Sequence, residues 1–181
     1  DKIRVYGSHC VSYRTRTEFF KPGITDISGV RQIAREVGEQ GFTALKTNIF
    51  NYDEDDKIKG WSPGFGTPFD PGRNIERVTL RNMRKHIEVM REAAGPDIDI
   101  LLDLNFNAKT EGYLKLLREL DDLDLFWVEL DTLDPKALAH IRANSRHPIA
   151  SCETLIGLRQ FLPFFENRSI DVAIIDTPWN G

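Results

Sequence analysis

The chain has 181 residues, of which 40% are hydrophobic and 29% charged, with a net charge of −4. That balance supports one ordinary domain with a real core and argues against disorder. It also argues against a nucleic-acid surface, which needs a basic face, and no apolar run approaches the ~20 residues of a membrane span. The opening residues DKIRVYGS hold no signal-peptide core. Two cysteines, Cys10 and Cys152, do not make a disulfide framework, so a reducing cytoplasm is the expected setting.

In chain order, the run 3–7 (IRVYG) predicts a first strand. An amphipathic helix follows, capped at Asp26 and stopped at Gly41, with Val30, Ile33, Ala34 and Val37 as its apolar stripe. The run 43–48 (TALKTN) predicts a second strand. Residues 49–73 then form a long connection carrying Trp61, Phe65 and Phe69 among glycines and prolines. It reads as a surface insertion or as a flap over the strand ends. A second helix is expected from a cap at Asn74 to Gly95. Strands at 98–103, 125–129, 148–152 and 170–175 follow, separated by TEGYLKLLRELDDL, DPKALAHIRAN and ETLIGLRQFLPFF. Asp134 and Pro135 suit a helix cap and first turn. The aromatic stretches FWV and FLPFF read as core.

Short apolar strands alternating with amphipathic helices mean a parallel sheet with helical crossovers. The fold class is α/β. A doubly wound open sheet and a TIM (β/α)8-type barrel both fit the pattern. About six βα units are readable where a barrel has eight. The expectation is a single barrel-domain segment over 1–181, with a capping domain and the last barrel strands lying elsewhere.

Alternation of side chains along a strand puts Leu101, Asp103 and Asn105 on one face. By the same rule Trp127 shares a face with Glu129, and Ser151 with Glu153. Three strands therefore end on acids, Asp103, Glu129 and Glu153, spaced 26 and 24 residues apart. In a parallel sheet such ends are neighbours. Crowded carboxylates in an apolar setting repel one another and are costly to desolvate. A hard divalent cation relieves both costs, and oxygen-only ligands favour Mg²⁺, with Mn²⁺ as the alternative. The structural alternative is three unrelated strand-end acids, with Glu153 capping the helix after it.

Lys46 and Asn48 share a face of the second strand. Lys46 reads as a candidate base whose pKa is pulled down, or as the salt-bridge partner of an inward carboxylate. Asp176, after the last strand, reads as a residue that orients a base, as a fourth acid, or as a turn residue before Pro178. His9 and Cys10, after the first strand, read as a loop pair, with lining the mouth of the site as the alternative. His86, His140 and His147 read as surface or packing residues.

The segments GFTALKTN, LLDLN, FWVEL, IASCETL and DVAIIDTPWNG resemble the barrel domain of the enolase superfamily, in its mandelate racemase/muconate lactonizing group. The resemblance implies a modified TIM barrel and Mg²⁺ held by Asp103, Glu129 and Glu153. It also implies abstraction of the proton α to a carboxylate. Lys46 and Asp176 are then the candidate catalytic residues, and Asn48 and Asn105 the candidate substrate-binding ones. The expected partner is a small-molecule carboxylate and the expected assembly a homo-oligomer, with no nucleic acid and no membrane.

Several positions depart from the group. Asn48 replaces a second lysine, Asn105 stands where some sugar-acid dehydratases carry a histidine, and Leu130-Asp131 and Cys152 replace the usual residues beside the second and third acids. The expectation is a sugar-acid dehydratase whose main acid/base is a histidine beyond Gly181, oriented by Asp176 and assisted electrostatically by Lys46. A racemase, epimerase or cycloisomerase is the close alternative, and a metal-binding barrel that has lost its bases is another. A doubly wound small-molecule binder with a receiver-like acidic pocket is the last, and no G-x-G-x-x-G or P-loop supports it.

Overall fold

The computed structural model describes residues 2–62 and 74–181. The chain divides into two compact units, Asp1–Pro63 with Glu76–Asp103, and Gly64–Ile75 with Leu104–Gly181. Each is an α/β arrangement whose principal strands pair in parallel.

In the first unit Asp26 starts helix α1 (Ile27–Glu39) by accepting hydrogen bonds from the backbone N–H groups of Ser28 and Gly29. Val30, Ile33, Ala34 and Val37 are buried, as the apolar stripe requires. Gly41, at φ 84°, takes the left-handed turn that ends the helix. Strand β1 (Ala44–Thr47) pairs in parallel with β4 (Asp99–Asp103), Lys46 standing opposite Leu101. Every residue of β1 is buried, and so are residues 100–103. That is the pattern of strands covered on both faces.

Helix α2 (Arg77–Ala94) packs against α1 and ends at Gly95, also at φ 84°. It begins later than the Asn74 cap implied. The Asn74 side chain accepts from the N–H of its neighbour Ile75 instead, and Glu76, with extended backbone, precedes the first turn.

Two further expectations differ from the structure. The run 3–7 makes no strand. Only Gly7 bridges to Leu45, and Ile3 and Val5 are 88% and 61% exposed, so its apolar alternation meets no layer to pack against. The first part of the long connection is an antiparallel hairpin, β2 (Ile49–Tyr52) with β3 (Ile58–Ser62). Its turn is closed by the Asp53 carboxylate, which accepts from the N–H groups of Asp55 and Lys57. Lys57 ties that turn to the α1 cap through a 2.8 Å ion pair with Asp26. Phe65 and Phe69, which carried the flap reading, lie outside the described residues.

The second unit contains α3 (Thr110–Glu119), β5 (Trp127–Glu129), α4 (Pro135–Ala143), β6 (Ile149–Ser151), α5 (Leu158–Glu166), β7 (Val172–Ala173) and α6 (Thr177–Asn180). β5, β6 and β7 pair in parallel, Val128 opposite Ile149 and Ala150 opposite Val172. Asp134 caps α4 through the N–H groups of Lys136 and Ala137, with Pro135 in the first turn. α5 starts after Gly157, not at Glu153. β7 is shorter than 170–175 because the Asn180 side chain takes the N–H of Asp176 at 2.6 Å and folds the chain into α6. FLPFF buries Phe161 and Phe164 but turns Leu162 and Phe165 outward, and Phe126 of FWV is exposed. Among the described residues no helix is long and apolar enough to cross a membrane.

One polar element sits inside the first unit. His86 on α2 is wholly buried. Its Nε2 lies 2.7 Å from Thr47 Oγ1 and its Nδ1 2.6 Å from the Tyr52 hydroxyl. The ring stacks on Phe50 with centroids 4.7 Å apart. Burial pulls its pKa from 6.5 to about 3. Between those values the unfolded chain binds a proton that the fold refuses. Stability is therefore complete above the imidazole's ordinary range and declines as pH falls through it, by at most about 1.4 kcal/mol per pH unit. Denaturant titrations at stepped pH will show this slope in the wild type and a shallower one in His86→Gln. Equal slopes would mean that His86 is not the group resisting protonation.

Candidate functional site

The first unit gathers polar side chains where β1 and β4 end. Lys46 and Asp103 are 3% and 2% exposed, and their charges meet at 3.2 Å. The parallel register explains the meeting. Lys46 stands opposite Leu101, so Asp103, two residues further along, projects to the same face. The salt-bridge reading of Lys46 is thus the arrangement observed. The Lys46 ammonium also stands 5.9 Å from the centroid of the Tyr6 ring.

Asn48, 1% exposed, extends the cluster. Its Nδ2 donates to the Asp103 carbonyl at 3.4 Å, and its Oδ1 lies 2.8 Å from His9 Nδ1. His9 Nε2 is 3.9 Å from the Asp103 carboxylate. The His9 backbone lies in a loop, and its ring joins the cluster, the placement the site-lining alternative gave it. At φ 49°, uncommon for a side-chain-bearing residue, that backbone carries the strain often stored at functional positions. The available signal in the sequence was position: His9 lies two residues beyond Gly7, the one residue of the first apolar run that ladders with β1.

The second unit holds the other candidates. Asn105 is buried at φ 46°, a conformation asparagine tolerates better than most residues. Its carbonyl accepts from the Tyr113 hydroxyl at 2.5 Å and from the Asp131 N–H at 2.9 Å. Asp131, 4% exposed, accepts from Ser151 Oγ at 3.0 Å. The Tyr113, Asp131 and Ser151 contacts were not readable from the sequence, because they join residues from three separate elements. Glu129 is 1% exposed at the end of β5, and its carbonyl accepts from the Leu104 N–H at 2.8 Å. Glu153 is half-buried, and its carbonyl accepts from Asn180 Nδ2 at 2.8 Å. It does not cap α5, which starts after Gly157. Asp176 is exposed and opens α6, the place the turn reading gave it.

Both cysteines are free. Burial pushes the Cys10 thiol up to about 11. Burial and then the Asp131 charge push Cys152 up to about 12. Neither is a thiolate nucleophile at neutral pH. Cys152 is buried at φ 91°, a backbone that favours glycine. His147, 5% exposed, bonds to the Leu120 carbonyl at 3.0 Å and serves packing.

Asp103 belongs to the first unit, Glu129 and Glu153 to the second. Among the described residues no group of three or more histidine, cysteine, aspartate or glutamate side chains forms a metal-ion cluster. The donors at the three expected ligand positions are all carboxylates, a set suited to a hard cation.

Residues 29–181 match the family model described as enolase C-terminal domain-like. A solved structure from Burkholderia xenovorans strain LB400, provisionally named an L-alanine-DL-glutamate epimerase and bound to magnesium and fumarate, is 55% identical. It superposes with a TM-score of 0.93 over 100% of this chain and 45% of its own. A D-galactonate dehydratase family member of Streptomyces sp. (strain SPB074) is 30% identical over 105 residues, 56% of this chain and 24% of its own length. The N-succinyl-L-Arg/Lys racemase of Bacillus cereus (strain ATCC 14579) is 33% identical over 90 residues, 48% of this chain and 24% of its own. The chain spans less than half the length of each of these relatives.

The backbone at Cys152 generates a prediction. Replacing it with glycine relieves roughly 1 kcal/mol of left-handed strain and loses a thiol burial of about the same size. Cys152→Gly therefore stays within about 1 kcal/mol of the wild type in denaturant unfolding. Cys152→Val, β-branched at positive φ, loses roughly 2 kcal/mol or more. A valine tolerated as well as glycine would remove the strain.

Proposed function

The chain belongs to the enolase C-terminal domain-like family of the enolase superfamily, in its mandelate racemase/muconate lactonizing group, and from that premise we propose a Mg²⁺-dependent enzyme that removes the proton α to a carboxylate. The overall reaction proposed is dehydration of a sugar acid, on a (β/α)8-type barrel whose strand ends carry the site.

The observation that supports this best is the Lys46–Asp103 pair, with Asn48 beside it. Two charges removed from water add little to stability that apolar residues would not supply. Charges placed at strand ends suit a reaction in which charge develops on a bound acid. In this reading the Lys46 ammonium faces the substrate's carboxylate side and favours loss of the neighbouring proton. Asn48 and Asn105 bind and orient the substrate, and Asp176 orients a base.

Asp103, Glu129 and Glu153 are the proposed Mg²⁺ ligands, with Mn²⁺ as a substitute. The assignment rests on their sequence positions, one βα unit apart, and on their all-oxygen chemistry. When bound, the ion supplies fixed countercharge to the substrate carboxylate. The proposed partner is a small-molecule carboxylate.

Racemisation or epimerisation is the second reading. It is favoured by the provisional name of the 55% identical protein and by the racemase relative. Both readings begin with the same proton removal. They differ in whether water is then lost or a proton is returned to the same carbon.

The test is proton exchange in D₂O with Mg²⁺ and a panel of aldonates, aldarates and acylated amino acids, followed by NMR. Dehydration predicts a 2-keto-3-deoxy acid from one of the sugar acids. Epimerisation predicts deuterium at the α-carbon without loss of water. Lys46→Met is expected to lower either rate by about 10²-fold or more. No exchange with any acid in the metal-loaded protein would contradict the reading, and full activity in Asp176→Asn would remove Asp176 from it.

A further inference from the structure

We propose that His86 is a positioning residue: held between Thr47 and Tyr52, it fixes the direction in which Lys46 and Asn48 leave β1. Treating Lys46 and Asn48 as reacting groups rests on the proposed function. The positioning itself does not.

The geometry is closed on every side. His86 is 0% exposed, Thr47 1% and Tyr52 6%. Both ring nitrogens are engaged, Nε2 by Thr47 Oγ1 at 2.7 Å and Nδ1 by the Tyr52 hydroxyl at 2.6 Å. Phe50 stacks on the ring between these two residues in sequence. Packing alone would be met by leucine or phenylalanine at this helix position. Withdrawing an imidazole and two hydroxyls from water is tolerated only because each finds a partner. What such a network adds over an apolar core is direction.

Direction matters here because Thr47 lies between Lys46 and Asn48. Strand alternation turns its side chain towards α2 and its two neighbours to the opposite face. There Lys46 meets Asp103, and Asn48 meets His9 and the Asp103 carbonyl. A slip of one residue along β1 would exchange the faces, sending Lys46 towards α2. Losing the Thr47 bond to His86, which Tyr52 holds in place from β2, opposes that slip. The neutral ring carries one N–H and one lone pair. The phenol is the more acidic hydroxyl, which favours the tautomer in which it donates to Nδ1 and Nε2–H donates to Thr47.

The experiment is nitrogen-15 NMR of the wild-type protein and of Thr47→Ser, Thr47→Val and Tyr52→Phe, without metal or substrate. It therefore stands or falls separately from the proposed reaction. The wild type is expected to show His86 as the neutral Nε2–H form with slow exchange. Thr47→Ser, which keeps the hydroxyl, should retain that signature and the wild-type Lys46 ammonium and Asn48 amide signals. Thr47→Val and Tyr52→Phe each preserve bulk and lose one hydroxyl. Each should speed exchange of the ring N–H by about tenfold and displace the Lys46 and Asn48 signals. A structural role alone would lower stability and leave those two signals in place. Unmoved Lys46 and Asn48 signals in a folded Thr47→Val or Tyr52→Phe would overturn the proposal. So would a His86 ring that titrates with ordinary exchange in the wild type.

Discussion

The first unit depends on one electrostatic arrangement, a lysine and an aspartate buried against each other at 3.2 Å where two parallel strands end. Neither charge is well tolerated alone at that depth, because each has been removed from water and the other offsets much of the loss. Their meeting requires β1 and β4 to hold a fixed register, Lys46 opposite Leu101. It also requires both strands to be covered on both faces. Helices α1 and α2, packed against each other, lie on one side, from which the hydrogen-bonded His86 reaches Thr47, and the polar cluster lies on the other.

The fold thus serves the site in a definite order. Apolar stripes on α1 and α2 set where the helices lie. All of β1 and residues 100–103 of β4 are buried. Internal strands then carry polar side chains only where those are paired, and the pairing sets the geometry of Lys46, Asn48 and Asp103. His9 comes to the same cluster from an irregular segment through a strained backbone. In the second unit the same logic holds with hydrogen bonds instead of an ion pair. Asn105, Tyr113, Asp131 and Ser151 are joined there by contacts of 2.5 to 3.0 Å.

Much of this was legible in the sequence, because it depends on local periodicity. The Asp26 and Asp134 caps, the stop glycines at 41 and 95 and the apolar stripe of α1 are short-range signals, and all occur where the spacing puts them. The inward direction of Lys46 followed from alternation alone. What escaped depends on tertiary context. Residues 3–7 carry the composition of a strand but meet no layer, and the turn that converts 49–62 into a hairpin relies on an aspartate bonding its own backbone. His86 looked like any helix histidine until its two hydroxyl partners, 39 and 34 residues away, were in place.

The most direct test of the account is a double-mutant cycle on the buried pair. Unfolding free energies are measured for the wild type, Lys46→Met, Asp103→Asn and the double variant. The account predicts that each single change costs about 3–5 kcal/mol, because it strands a buried charge. The double variant should fall short of the sum by roughly 1 kcal/mol or more. Costs that add to within about 0.5 kcal/mol would contradict it, for then the two charges would not be holding one another in place.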